Sequence, residues 1–168
     1  MEVDIKKLTH TNSNGKAIMA DVSNKKESLR TAKAYAEVLP GKEAFTAVQN
    51  NTIKKGDVLA VSKIAGIQAA KKTHELIPLC HNIFISDIHL LFELSEETLS
   101  IKITSEVKCT AKTGVEMEAL TAVTVAALTI YDMCKSINKG IIIGDIHLLT
   151  KTGGKSGDYF SERRKNDR

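Results

Sequence analysis

Apolar residues recur along this chain with two different periods, and the switches between them outline its elements. Over residues 114–138, Val115, Ala119, Ala122 or Val123, Ala126 and Ile130 return at three- and four-residue steps, which predicts one long helix packed on a core. Thr113 stands at the N-cap position with Glu116 three residues on, the pattern of a capping box. Ile, Phe, Leu and Thr crowd residues 83–94 and 98–109, and Ser95-Glu96-Glu97 parts them, so this stretch predicts a β-hairpin. Gly140 closes the long helix ahead of a last strand over 141–149. Nearer the N-terminus the pattern predicts a short helix over 25–38, ended by Leu39-Pro40-Gly41. A first strand over 43–50 follows, resting on Phe45, Thr46 and Val48. Asp57 is placed to cap a helix that runs to about Ile77 and stops at Pro78. Gly66 falls in its middle, at a cost of about 1 kcal/mol against alanine, which is tolerable where another backbone packs close.

After the first helix the order is strand, helix, strand, strand, helix, strand, the split β-α-β pattern of ferredoxin-like folds. The expected class is α+β, a ferredoxin-like sandwich with an extra N-terminal helix. Helices cover one face of such a sheet, and these strands hold more Ile and Leu than one face needs, which predicts an oligomer. Residues 1–24 read as an extended polar arm carrying His10, Asp21 and Ser23, residues 25–158 as a single domain, and residues 159–168 as a charged, disordered tail.

A chain of 168 residues that is 42% apolar suits one domain with a real core. Net charge is +4, and in the tail Arg163, Arg164, Lys165 and Arg168 outweigh Glu162 and Asp167. The body is therefore close to balanced, which argues against a surface that coats DNA. Lysine pairs at 25–26, 54–55 and 71–72 are good partners for a polyphosphate, although solvated helix faces look the same. Cys80, Cys109 and Cys134 are odd in number, widely spaced and without a CxxC, as expected of reduced thiols in a cytoplasmic protein without a zinc site. The first twenty residues lack an apolar core of signal-peptide length, and no run approaches about 18 uninterrupted apolar residues, so a soluble protein with no membrane partner is expected.

Candidate chemistry gathers on the long helix and its flanks. At about 100° per residue, Glu118, Val125, Thr129 and Asp132 share one side, with Lys135 a turn beyond. Glu118 and Asp132 nevertheless stand about 21 Å apart at ~1.5 Å per residue. Either a long ligand spans them, or an antiparallel second copy brings one chain's Glu118 to the other's Asp132. The plainer alternative is that Glu116 only caps the helix and Asp132 and Lys135 only form a solvated turn. His81 follows Leu79-Cys80 in a loop that enters the hairpin, a common place for function, while a lone histidine is more often a satisfied structural residue. That structural reading suits His89 and His147 inside strands, and His10 and His74 carry no signal. The turn Gly153-Gly154-Lys155-Ser156-Gly157 invites a P-loop reading and fails it, because Leu149 stands where the motif needs its first glycine and no helix can follow. What survives is a glycine-rich nest with Lys151 and Lys155, fit for phosphate.

Several of these blocks, in this order, resemble one family. They are Lys55-Gly56-Asp57, Ile64 through Lys71, Leu79-Cys80-His81, Lys112 through Ala122, Ala127 through Lys135, and Gly153 through Gly157. Together they resemble the cyclic pyranopterin monophosphate synthases of molybdenum-cofactor biosynthesis, the MoaC family, over about residues 8–158. The resemblance implies a ferredoxin-like homo-hexamer, a trimer of dimers with active sites between subunits. It implies a lyase that converts 3′,8-cyclo-7,8-dihydroguanosine triphosphate into cyclic pyranopterin monophosphate and diphosphate. Carried over by motif, Asp132 and Lys135 match catalytic positions, and Lys55 matches a second essential lysine. Leu79, Cys80, His81, Met117 and Glu118 match substrate-binding segments, with Glu116 beside them, and Lys25, Arg30, Lys151 and Lys155 match basic positions near the substrate. No resident cofactor is implied beyond Mg2+ accompanying the triphosphate, and no metal ligands are assigned.

The chemistry of these residue types agrees. Ring opening and pterin closure move protons repeatedly, so acid and base groups must lie within reach. A lysine desolvated near other cations has its pKa lowered into a useful range, a way for Lys55 and Lys135 to share proton transfer with Asp132. Lys25, Arg30, Lys151 and Lys155 would offset the charge of departing diphosphate, and Glu118 can accept two parallel N–H bonds from a guanine-like edge. A non-catalytic nucleotide- or RNA-binding module of the same topology is the alternative. Aromatic residues are only 4% of the chain and do not pair on the strands as base-stacking modules require. A regulatory small-molecule-binding subunit would need the pocket without the Lys55, Asp132 and Lys135 set.

Overall fold

Alternation of small apolar and polar side chains builds the centre of the sheet. In the computed structural model, which describes residues 16–155 and 157–162, strand β1 spans Ser28–Leu39. Ala32, Ala34, Ala36 and Val38 are fully buried on one face, while Thr31, Lys33, Tyr35 and Glu37 lie between them on the other. The extra N-terminal helix predicted over 25–38 is therefore replaced by the central strand. Ala, Lys and Glu are good helix formers, but propensity is a weak prior, and the period-two pattern with its tertiary burial overrides it. The strand predicted over 43–50 is helix α1, Lys42–Gln49, because Ala44, Phe45 and Val48 fall on one helical face and bury there.

The remaining elements are α2 (Val58–Lys71), α3 (Thr73–Leu76), β2 (Asp87–Ser95), β3 (Ser100–Ala111), α4 (Glu116–Cys134), β4 (Ile142–Thr152) and β5 (Tyr159–Phe160). The sheet runs β2-β3-β1-β4-β5 with every neighbouring pair antiparallel, and α2 and α4 pack together over it. This is the ferredoxin-like α+β arrangement, with β5 added at one edge. Asp57 caps α2 as expected, its Oδ1 accepting from Ala60 N at 2.9 Å. A Cβ at Gly66 would lie 2.7 Å from the Ala122 carbonyl, so that glycine lets α2 and α4 touch. Thr113, by contrast, is no cap. Val115 takes the N-cap position of α4 and no side chain bonds to the helix start.

By length and composition α4 is apolar enough to cross a bilayer, yet most of it is core: Ala119, Ala122, Val123, Ala126, Ala127 and Ile130 are all fully buried. Tyr159 and Phe160, assigned to a disordered tail from sequence, instead pair with Lys151 and Thr150 as β5. The turn before them is fastened by Gly153 N donating to Asp158 Oδ1 at 3.2 Å. Expectations for residues 1–15 of the arm, His10 among them, for Ser156 and for residues 163–168 lie outside the described residues.

The face of the sheet away from the helices is ion-paired. Glu106 accepts from Lys33 at 2.7 Å and from Lys108 at 2.9 Å, and Asp87 lies between Lys108 and His89 at 3.8 and 3.1 Å. These two lysines hold the Glu106 carboxyl below its ordinary range. Inward positions of the four long strands take up many of their Ile, Leu and Val, while Leu29, Leu91 and Ile142 stay exposed at outward positions, so part of the expected surplus does lie on this face.

Candidate active site

Two groups of candidate residues form, one at each end of α4. At the C-terminal end Asp132 sits in the last turn and Lys135 follows the helix, which puts their side chains together at i and i+3. Lys135 Nζ is 2.7 Å from Asp132 Oδ1. Lys55, from the loop between α1 and α2, donates to Asp132 Oδ2 at 3.1 Å and to the Asp132 carbonyl at 2.7 Å. Two ammonium groups at a helix C-terminus also suit the helix dipole. Hydrogen bonds from Lys135 and then Lys55 hold the Asp132 carboxyl below the ordinary carboxylate range. The Lys135 ammonium is pushed up by its bond to Asp132. That reverses the lowered pKa expected for Lys135, because within one subunit this lysine is half exposed and bonded to a carboxylate rather than desolvated among cations.

At the N-terminal end of α4 a hollow of about 440 Å³ is lined by Leu79, Cys80, His81, Glu116, Met117 and Glu118, all six predicted as substrate-binding, with Ile77, Ile83, Thr113 and Gly114. Glu118 is 3% exposed and its Oε2 is buried without a hydrogen-bond partner. Burial pushes its carboxyl up to about 7, against a backbone hydrogen bond, and the charge of Glu116 adds to the rise. Burial and Glu118 likewise raise the Cys80 thiol, so it is no ready nucleophile. A buried acid with a free oxygen is costly unless a ligand completes it.

A cleft of about 750 Å³ adjoins this hollow and shares Thr113, Gly114 and Glu116 with it. Lys25, Lys26, Arg30, Lys112, Lys151 and Lys155 line it against two carboxylates, Glu27 and Glu116. Arg30 is fixed by three carbonyls, donating to Ala111 at 3.3 Å, Gly153 at 3.0 Å and Lys112 at 3.4 Å. Lys151 pairs with Glu116 at 3.0 Å. Gly153 and Gly154 have φ of +84° and +96°, and a side chain on Gly154 would collide with the Arg30 guanidinium. The glycine-rich turn thus lies against the fixed arginine, where a phosphate chain can meet both.

All the predicted site residues are brought to one end of α4 or the other, and the two ends are not brought together. Lys112 and Lys26 line the cleft without having been singled out: Lys112 opens the helix motif and Lys26 belongs to a lysine pair, signals that solvated lysines share. The pair at 71–72 is exposed at the end of α2, away from both hollows. Among the described residues no cluster of three or more His, Cys, Asp or Glu is placed to hold a metal.

A model of the MoaC family matches residues 19–154. Three similar proteins are each named cyclic pyranopterin monophosphate synthase. The one from Clostridium botulinum is 53% identical over 156 residues, 93% of this chain and 98% of its own. The one from Heliobacterium modesticaldum is 54% identical over 155 residues, 92% of this chain and 98% of its own. The third, named mitochondrial, is from Arabidopsis thaliana and is 54% identical over 93% of this chain and 58% of its own.

Proposed function

We propose that this chain, which belongs to the MoaC family, is a cyclic pyranopterin monophosphate synthase, a lyase of molybdenum-cofactor biosynthesis acting on a cyclised dihydro-GTP. The observation that carries this reading is the pairing of a cation-lined cleft with a hollow holding a buried, incompletely bonded carboxylate. A triphosphate fits the first and the N–H edge of a purine-derived ring fits the second. In the cleft Arg30, Lys151 and Lys155, with Lys25 and Lys112, hold the phosphates and offset the charge of diphosphate as it leaves. Mg2+ enters on the phosphates, as part of the substrate. In the hollow Glu118 accepts from the ring, and Leu79, Cys80, His81 and Met117 shape its walls.

Asp132, Lys55 and Lys135 move protons at the ring, and they come from a second copy. Along α4 Asp132, which both lysines bond, stands about 21 Å from Glu118 at ~1.5 Å per residue, too far for one subunit to bring both ends to one reacting centre. The protein then works as a homo-oligomer with sites between subunits, a hexamer in the family's pattern, with a small molecule as its substrate and the cytoplasm as its compartment. Covering by the partner also supplies the desolvation that the exposed lysines lack within one subunit.

The test is to incubate the purified protein with the cyclic GTP-derived substrate and measure diphosphate and pterin product together. Both should appear in equal amounts, and Asp132→Ala, Lys55→Ala and Lys135→Ala should each lower turnover by about 100-fold or more with assembly intact. Substrate binding without product in the wild-type protein would favour the non-catalytic nucleotide-binding alternative.

A further inference from the structure

We infer that the N-terminal strap, residues 16–24, is a working part of the site: the Ala20 carbonyl holds the proton of neutral His81 on Nε2 and leaves Nδ1 as the ring's hydrogen-bond acceptor. The inference rests on the proposed role of His81 in binding substrate and goes beyond it. His81 Nε2 lies 2.8 Å from the Ala20 carbonyl oxygen. A carbonyl oxygen only accepts, so the nitrogen facing it must carry hydrogen, and a neutral imidazole has only one to place.

The strap is built to hold that carbonyl in position. Asp21 Oδ1 accepts from Ser23 N at 2.8 Å and from Ser23 Oγ at 2.6 Å, and Lys25 N donates to the Val22 carbonyl at 3.0 Å. These bonds curl the segment into a turn. The Ser23 carbonyl in turn accepts from Lys112 Nζ at 3.0 Å. One carbonyl thus engages the histidine of the hollow and another a lysine of the basic cleft, so the strap joins the two halves of the binding region.

The consequence for recognition is specific. With Nε2 committed to the strap, neutral His81 takes an N–H or O–H donor from the ligand. The other tautomer would offer the ligand a donor in its place. Ala20 therefore acts as a positioning residue, through His81.

Proton–nitrogen correlation spectra of the histidine rings in the full-length protein, at alkaline pH and with His81→Gln used for assignment, read the tautomer directly. The Nε2–H form is expected to dominate, and the double variant Asp21→Ala, Ser23→Ala, which loosens the turn, should gain a visible fraction of the Nδ1–H form. In turnover, His81→Asn, whose amide reaches the Nδ1 position, should keep kcat/KM roughly tenfold above His81→Gln, whose amide reaches only Nε2, the worth of about one hydrogen bond. A dominant Nδ1–H form, tautomer populations unmoved by the strap variant, or Gln equalling Asn would each overturn the inference. A wild-type protein without turnover would count against the proposed activity, while the spectra would still decide the tautomer.

Discussion

Glu118 is a buried acid whose ionisation bears on folding, and on binding if it meets the ligand as proposed. An acid whose folded pKa is raised lowers stability as pH rises: both states are neutral below the ordinary 4.5, the unfolded chain ionises first above it, and the penalty levels off above about 7. A shift of this size corresponds to about 3 kcal/mol. Glu118→Gln, which cannot ionise, should therefore be the more stable protein at pH 8 by up to about 3 kcal/mol, and at pH 5 by less than about 1 kcal/mol. Urea melts at the two pH values check this, and an equal gain at both would show that the carboxyl is not titrating between them. Substrate affinity should move the other way, because the carboxylate that destabilises the free protein is what the ligand's N–H groups would satisfy. Lys151 and Lys155 form a contrasting pair. Lys151 is tied to Glu116, while Lys155 sits exposed in the glycine turn. Lys155→Ala should weaken binding of GTP-like ligands by about threefold to tenfold and flatten its salt dependence, since one screened cation fewer contributes. Lys151→Ala should cost more, because Glu116 then faces the phosphates without its partner. Titrations by calorimetry at low and high salt measure both. Full affinity with a lost chemical step would make the residue a catalyst in place of a phosphate clamp.

At the scale of elements, the crossing of α2 over α4 controls the layer that carries both ends of the site. Alanine is the better helix former by about 1 kcal/mol, yet Gly66→Ala places its Cβ 2.7 Å from the Ala122 carbonyl and from Leu90 Cδ2. The helices must separate, and a net loss of about 1–3 kcal/mol is expected from the urea midpoint. A more stable variant would show that the crossing has slack. The sequence displayed this contact as a glycine in a helical pattern, and it displayed the hairpin, α4 and the last strand through periodicity strong enough to survive any context. It misled at residues 25–50, where Ala, Lys and Glu in β1 looked helical and Phe45, Thr46 and Val48 in α1 looked extended. Propensity was the louder signal there, and burial decided the outcome, of β1 beneath α4 and of Ala44, Phe45 and Val48 along one face of α1. The site was legible as blocks: Lys55, Asp132 and Lys135 converge, as do Leu79-Cys80-His81 with Glu118. The strap's carbonyls were not legible, since any residue supplies one and only its placement gives it a role.

For the whole molecule the decisive feature is that α4, at 19 residues, has the hollow of Glu118 at one end and the Lys55, Asp132 and Lys135 cluster at the other, the ends proposed for recognition and for proton transfer. A helix of that length is about 28 Å long, so the two functions meet only if a second copy presents its opposite end, as an antiparallel two-fold contact does. The uncovered sheet face, with its ladder of Lys33, Glu106, Lys108, Asp87 and His89, is already internally paired. Apolar side chains are left exposed on the helical layer, Val61, Ile64 and Leu128, and also on the sheet, Leu29, Leu91 and Ile142, so both layers offer apolar surface for contact with a partner. If sites are shared, a Glu118→Ala protein and an Asp132→Ala protein, each inactive alone, should regain activity when mixed and allowed to exchange subunits. One interface in the mixture then joins an intact recognition end to an intact Lys55, Asp132 and Lys135 set. For a two-fold contact with random exchange of equal amounts, half the interfaces are mixed. Each mixed interface has one intact site of two, so about a quarter of wild-type activity is the ceiling. Mass spectrometry of the intact assembly would establish exchange independently. Mixed oligomers with no returning activity would place both ends of the site within one subunit, and a ligand long enough to span α4 would then have to replace the second copy.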